Sequence, residues 1–358
     1  MKGIRAINSL NTTIARSGLF SIAVRNYYPQ KSFYLSEDFR KEIVKKLDPV
    51  AHEFSEHKAL KHPLFVYLEE RSKEGFTAKQ FLIYRDNFFR RSQLEIPSIA
   101  STLRASVLYG DFDAAVLGFK NLSNKMGGGN VKKIHSQLLL ESHNIHGIRV
   151  FGLDPVARMT DVEKSEVLLP EVEEYRKAKE DIFTRQYPVI AGNTWAHELA
   201  ADSMLDNFRK AFFDPYKSYY EPKEYKNIAR FFTVHKDQLR EDKSVEKQHE
   251  KMARKTVESA CLESLTHIEQ VREGGLIFLD HQAKLWDGML RELEKARNIV
   301  EIIKPRESRE VIQKIDNYNE PQQKSGNISE APNTIIKKAS AKRAGYQSDI
   351  EENRKSRS

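Results

Sequence analysis

The stretch VIAGNTWAHELAADSMLDNFRKAFF, residues 189–213, decides how this chain folds. Its pattern is helical: Glu198 aligns with Ala201 and Leu205 on a largely apolar stripe, with Asp202 beside it. A strand would need alternating runs of β-branched residues, and such runs are few and short throughout the sequence. The same period recurs along the rest of the chain. Ser36-Glu37-Asp38 opens a helix through Ile43, Val44, Leu47, Val50 and Phe54. Pro63, a favoured first-turn residue, opens a second with Leu64, Phe65, Tyr67 and Leu68. Thr77 caps a long segment through Phe81, Tyr84, Phe88, Leu94 and Ile99, with Pro97 expected to kink it. Asp111 or Asp113 opens a shorter helix that ends at Gly127-Gly128-Gly129. Further helices are expected over about 131–150, 161–184, 221–240, 244–272 and 276–303. The fold class is all-α, one compact helical bundle over residues 36–304. Residues 1–35 read as a flexible basic segment. Residues 305–358, dominated by Ser, Asn, Gln, Lys and Glu, read as a disordered tail that cannot bury enough surface to offset its ordering entropy.

Composition narrows the function classes. No apolar run approaches the roughly 20 residues needed to span a bilayer, so no membrane partner is expected. A single cysteine, Cys261, excludes an internal disulfide and a thiolate metal cage, and reads as a small core residue. The net charge of +8 raises nucleic acid as a partner. Its excess, however, sits at the ends: Lys2, Arg5, Arg16, Arg25 and Lys31 before any acid, and Lys337, Lys338, Lys342 and Arg343 in the tail. Between them the charges alternate as on solvated helices, and no nucleic-acid motif appears, so that partner is set aside. The expected location is cytoplasmic, or organellar if the acid-free residues 1–35 are a transit peptide.

Helical bundles hold metals by pointing Glu and His inward from facing helices. Three stretches qualify. In Gly127-Gly128-Gly129-Asn130-Val131-Lys132-Lys133-Ile134-His135, the histidine shares a face with Leu138, Leu139 and Ser142. In Trp195-Ala196-His197-Glu198-Leu199, Glu198 lies on the apolar stripe. In Phe231-Phe232-Thr233-Val234-His235, followed by Val245-Glu246-Lys247-Gln248-His249, Glu246 and His249 are three apart and project from one helical face. Each also reads as an ordinary core or surface residue. A rival cluster is Glu141 with His143 and His146, although Glu141 stands two and five residues from the histidines, off their shared face.

The order and surroundings of these stretches, over about residues 81–262, resemble the haem-oxygenase-like di-iron oxidases, also called the iron-containing redox enzyme family, relatives of thiaminase II. The resemblance implies a non-haem iron centre, di-iron or degenerate mono-iron, with His135, Glu198, His235, Glu246 and His249 as metal ligands. Two features depart from the family. Lys125 stands where the family has its first glutamate, ten residues before His135, and Lys236–Val245 separates His235 from Glu246. An ammonium cannot ligate a cation. One well-held iron and a labile or absent second are therefore expected, with Lys125 as a catalytic amine or as the charge mimic of the missing metal. The implied activity is that of an oxidoreductase using dioxygen on a small organic metabolite. Tyr84, Phe88, Phe89 and Trp195 are candidates for the pocket wall or, more simply, for the core. The reading from a different class is a catalytically degenerate helical scaffold that binds a protein partner through its tail; a homodimer is left open. A thiaminase-like hydrolase would need a reactive cysteine, and Cys261 lies in a different context.

Overall fold

The computed structural model describes residues 36–233 and 245–298. Among these described residues all regular structure is helical, with no strand, as the sequence pattern requires. They belong to one compact unit within residues 1–304. The expectations for residues 1–35 and 305–358 lie outside the described residues.

The helices are α1 Glu37–Glu56, α2 Pro63–Ser72, α3 Ala78–Ser92, α4 Glu95–Tyr109, α5 Phe112–Lys125 and α6 His135–Phe151. They continue as α7 Pro170–Ile182, α8 Tyr187–Phe212, α9 Pro222–Ile228, α10 Arg230–Thr233, α11 Val245–Ala260 and α12 His267–Lys295. Local chemistry sets their starts. Ser36 Oγ accepts the Phe39 amide, and Asp111 Oδ1 accepts the Ala114 amide, so Asp111 rather than Asp113 caps α5. Thr77 and Gln80 form a reciprocal capping box, each side chain accepting the other's amide.

Several boundaries differ from the sequence reading; the helix expected over 221–240 is already broken at Ala229, between α9 and α10. Pro97 does not kink a long helix. The chain stops at Ser92 and restarts at Glu95, so the proline falls in the first turn of α4, where its missing N–H is no loss. The expected helix over 161–184 is a 3₁₀ turn at Met159–Lys164 followed by α7, opened by Pro170. The Gly274-Gly275 pair, read as a break, lies inside α12, and the break falls at residues 261–266 instead. A Cβ on Gly274 would meet the Val189 carbonyl oxygen at 1.9 Å, and one on Gly192 would meet that of Val271 at 2.0 Å. The backbones of α8 and α12 therefore touch. This contact offsets the cost of about 1 kcal/mol per helical glycine.

The central element is α8. Every residue from Tyr187 to Glu198 is buried, so this half of the helix is covered on all sides, with α12 and α11 as its main neighbours. One apolar cluster is aromatic: Phe81, Tyr84, Phe88, Phe208, Phe212 and Phe213 pack together, with Tyr84 stacked on Phe212 at 4.1 Å between ring centres. Each such ring contributes roughly 1.5–3 kcal/mol on burial. A second cluster gathers Leu47, Phe54, Trp195, Val257, Cys261, Val271 and Leu279. Tyr84, Phe88, Phe89 and Trp195 are core residues, at most 1 % exposed. Cys261 is buried too, and burial pushes its thiol up to about 12, far from reactivity. Among the described residues no helix is long and apolar enough to cross a membrane.

Candidate metal centre

Four helices bring polar side chains into the interior beside α8. Glu198, 2 % exposed, projects from the covered half of that helix. Its Oε1 accepts a hydrogen bond from Asn121 Nδ2 of α5 at 3.0 Å. Its Oε2 lies 3.9 Å from Nδ1 of His249, a fully buried residue of α11, and 3.9 Å from Lys125 Nζ at the end of α5. Both distances exceed hydrogen-bond reach. Lys125 is 2 % exposed, and its ammonium makes a 2.7 Å ion pair with Glu95 Oε1 at the start of α4.

Glu95 is 21 % exposed. Burial pushes its carboxyl up, but the charge of Lys125 and the hydrogen bond from Lys125 pull it far below the usual carboxylate range. Its place in the first turn of α4 adds the helix dipole in the same sense.

His135 is the first residue of α6 and is 5 % exposed. The glycine turn delivers it there. Gly127 has φ of 70°, and a Cβ at that position would sit 2.6 Å from the Lys133 carbonyl carbon, so only glycine lets the chain fold back before the new helix.

The three buried candidates His135, Glu198 and His249 thus face the interior, and Glu198 and His249 meet. His235 and the side chain of Glu246 lie outside the described residues. Among the described residues no group of three or more His, Cys, Asp or Glu side chains is arranged to hold a metal. The rival cluster is core chemistry. His143 Nε2 pairs with Tyr84 Oη at 2.8 Å, and His146 Nδ1 with Tyr220 Oη at 2.7 Å. Burial drives both imidazoles to the neutral form, His146 to about 3. Glu141 turns aside to accept from Gln137.

Sequence reasoning missed Glu95, Lys179 and Arg91. Glu95 carried a signal: an acid two residues before Pro97 is the composition of a helix's first turn. Lys179, 3 % exposed, lies 3.1 Å from His197 Nδ1 and 3.4 Å from Tyr175 Oη. Burial, then the charge of Arg91, lowers its ammonium to about 7. Burial, then Lys179 and Arg91, pushes His197 well below its ordinary value, so that imidazole is neutral. Its partner Lys179 sits among the rings of Phe278 and Tyr175.

Ligands sharing a cation through bonds of about 2.0–2.2 Å stand about 3–4 Å apart. The Glu198–His249 separation of 3.9 Å falls in that range. Charge balance separates one cation from two. Lys125 already brings one positive charge to Glu95 and Glu198. Two divalent ions beside it would leave a large uncompensated positive charge in a low dielectric. The Lys125 ammonium thus favours one cation over two beside this pair, while among the described residues no group of three or more His, Cys, Asp or Glu side chains is arranged to hold either.

Comparison with known proteins bears on the fold. No described protein family matches the sequence, and neither does any curated protein. Among solved structures, a CADD-like protein of unknown function from Nostoc punctiforme superposes with a TM-score of 0.55 at 16 % identity, covering 71 % of this chain and 99 % of that one. A second structure of it gives 0.53 at 13 % identity, covering 73 % and 100 %. A TenA homologue from Pseudomonas syringae pv. tomato gives 0.45 at 12 % identity, over 72 % and 91 %. This chain therefore has the all-helical fold seen in the CADD-like protein.

Proposed function

We propose that this chain is a non-haem iron oxidoreductase with one metal position, in which the Lys125 ammonium stands where a second cation would be. The observation that supports it is the environment of Glu198 Oε2, a buried carboxylate oxygen 3.9 Å from both an imidazole and an ammonium and within hydrogen-bond reach of neither. Glu198 and His249 would hold the ion, with His135, His235 and Glu246 completing the set. Bound iron would supply dioxygen activation at an open position. The chain's own residues do the rest. Asn121 fixes the Glu198 carboxylate by its Oε1, leaving Oε2 toward His249. The Lys125–Glu95 pair cancels one carboxylate charge and presents a proton donor at Nζ beside Glu198. The apolar clusters around α8 exclude water from the centre. The substrate on this reading is a small organic molecule.

Anaerobic loading with ferrous iron, followed by metal analysis and oxygen-uptake measurement, tests the proposal. It expects about one iron per chain, lost in His249→Ala and Glu198→Ala. Iron content unchanged in both variants would contradict it. A second reading, a metal-free helical scaffold, is favoured by the completed Lys125–Glu95 pair. It expects no retained iron in the parent protein.

A further inference from the structure

The outer face of the α4–α5 hairpin is apolar where a solvated helix pair is ordinarily polar. Nine large apolar side chains are exposed among the described residues, and six of them fall between residues 107 and 131: Val107, Leu108, Val116, Phe119, Met126 and Val131. Exposed apolar residues scattered singly are normal, but a concentration of this kind marks a contact surface. Val116, Phe119 and Met126 follow one another at helical spacing, so they form one stripe along α5 and its end. The opposite face of α5 buries Ala114, Ala115, Asn121 and Lys125. Alongside lies α4, close enough that a Cβ on Gly118 would stand 3.4 Å from the Leu103 Cβ. Val107 and Leu108, one turn beyond Leu103, carry the surface on toward Gly110. At the other end the glycine turn folds Lys133 back against Gly127, with Val131 and Lys132 beside it.

The same surface is basic. Arg104, Lys120, Lys132 and Lys133 are exposed, and among the described residues they make no ion pair. From residue 96 to residue 140 the acids are Asp111 and Asp113. Asp111 is taken up by the Ala114 amide and the Tyr187 hydroxyl. Charge and shape together select the partner. Two copies of the chain meeting here about a twofold axis would set cations on cations. A partner helix would enter a groove. Val116, Phe119 and Val131, at 67, 64 and 71 % exposed, instead project from the surface. Projecting apolar side chains flanked by lysine and arginine suit an anionic bilayer, whose acyl boundary takes the apolar groups and whose phosphates meet the cations.

We infer that the outer face of α4–α5, with the turn over residues 126–133, is a docking surface for an anionic phospholipid membrane. Val116 and Phe119 enter the headgroup layer, and Arg104, Lys120, Lys132 and Lys133 lie on the lipid phosphates. This contact needs no spanning helix, and among the described residues none is long and apolar enough to be one. The inference does not rest on iron. Asn121, on the inner side of α5, holds Glu198, so one helix, roughly 10 Å across, separates this surface from the candidate metal centre.

Co-sedimentation of the full chain with vesicles tests the surface, comparing phosphatidylcholine alone with phosphatidylcholine mixed with phosphatidylglycerol. Binding should require the anionic lipid and weaken as sodium chloride is raised. Lys120→Ala and Lys132→Ala should each weaken it about fivefold, and Phe119→Ser about tenfold. Their circular dichroism should match the parent's, because all three side chains are exposed. Charge reversal at the basic ends, Arg16→Glu with Arg25→Glu or Lys337→Glu with Lys338→Glu, should leave binding intact. Equal sedimentation with neutral vesicles, full binding in Phe119→Ser and Lys120→Ala, or loss of binding in the end variants would each overturn the surface. So would a dimer of the parent that dissociates in Phe119→Ser, or retention on immobilised polyglutamate without vesicle binding; these outcomes would assign the face to a second copy or to an acidic protein.

Discussion

Lys125 is a buried ammonium set between two carboxylates. Its ammonium is the cation nearest two interior carboxylates, Glu95 at 2.7 Å and Glu198 at 3.9 Å. Removing it in Lys125→Met strands those charges, which costs about 3–5 kcal/mol. The pH dependence changes with it. Because the Glu95 carboxyl is depressed in the folded chain, the pair's contribution is complete above the unfolded value of about 4.3 and fades only as the pH falls into strong acid. In Lys125→Met, burial dominates Glu95, so stability should drop as the pH rises past that same value. Urea unfolding between pH 3 and 8 distinguishes the two profiles. Lys179 has the opposite economy. Its folded value of about 7 lies below the roughly 10.4 of an unfolded lysine, so the folded state holds fewer protons between these limits. Stability should then rise with pH across that window, by at most about 1.4 kcal/mol per unit. The difference in unfolding free energy between the parent and Lys179→Met from pH 7 to 10 reads this slope directly; a flat difference would remove the assignment.

At the scale of elements, the reciprocal glycines of α8 and α12 set where Glu198 stands. Gly192→Ala pushes a methyl onto the Val271 carbonyl, and the helices must separate. A loss of about 3 kcal/mol is expected in chemical denaturation, at the upper end for overpacking. Most helices were legible because their starts carry local chemistry: Ser36, Pro63, Thr77 and Asp111 all open helices where the sequence put them. Gly274-Gly275 was misread for an equally physical reason. A glycine pair looks like a breaker until the packing partner is known, and Val189 lies 85 residues away in the chain. Pro97 misled in the same way, since the break it marks precedes it by one turn. Of the side chains gathered in the interior, the burial of His135, Glu198 and His249 was legible from period and surroundings, whereas the inward placing of Glu95, Lys179 and Arg91 was not. Their pairing is tertiary, across helices whose facing order no local pattern records.

For the molecule as a whole, both large apolar clusters draw their buried members among the described residues from Ile43 to Ala296. A chain trimmed to residues 36–304 should therefore keep the helical circular dichroism of the full chain and its Tm to within about 2 °C. A markedly lower Tm would show that the removed segments contribute to the core. The fold it would retain is the all-helical one of the CADD-like protein, on which chemistry is decided by a handful of interior side chains. The measurement that addresses the central claim most directly is the iron stoichiometry of the parent and of Lys125→Glu after anaerobic loading with ferrous iron. One iron per chain in the parent, rising toward two when the ammonium becomes a carboxylate, is the predicted result. No rise in Lys125→Glu would contradict the claim that this lysine holds a second cation's place.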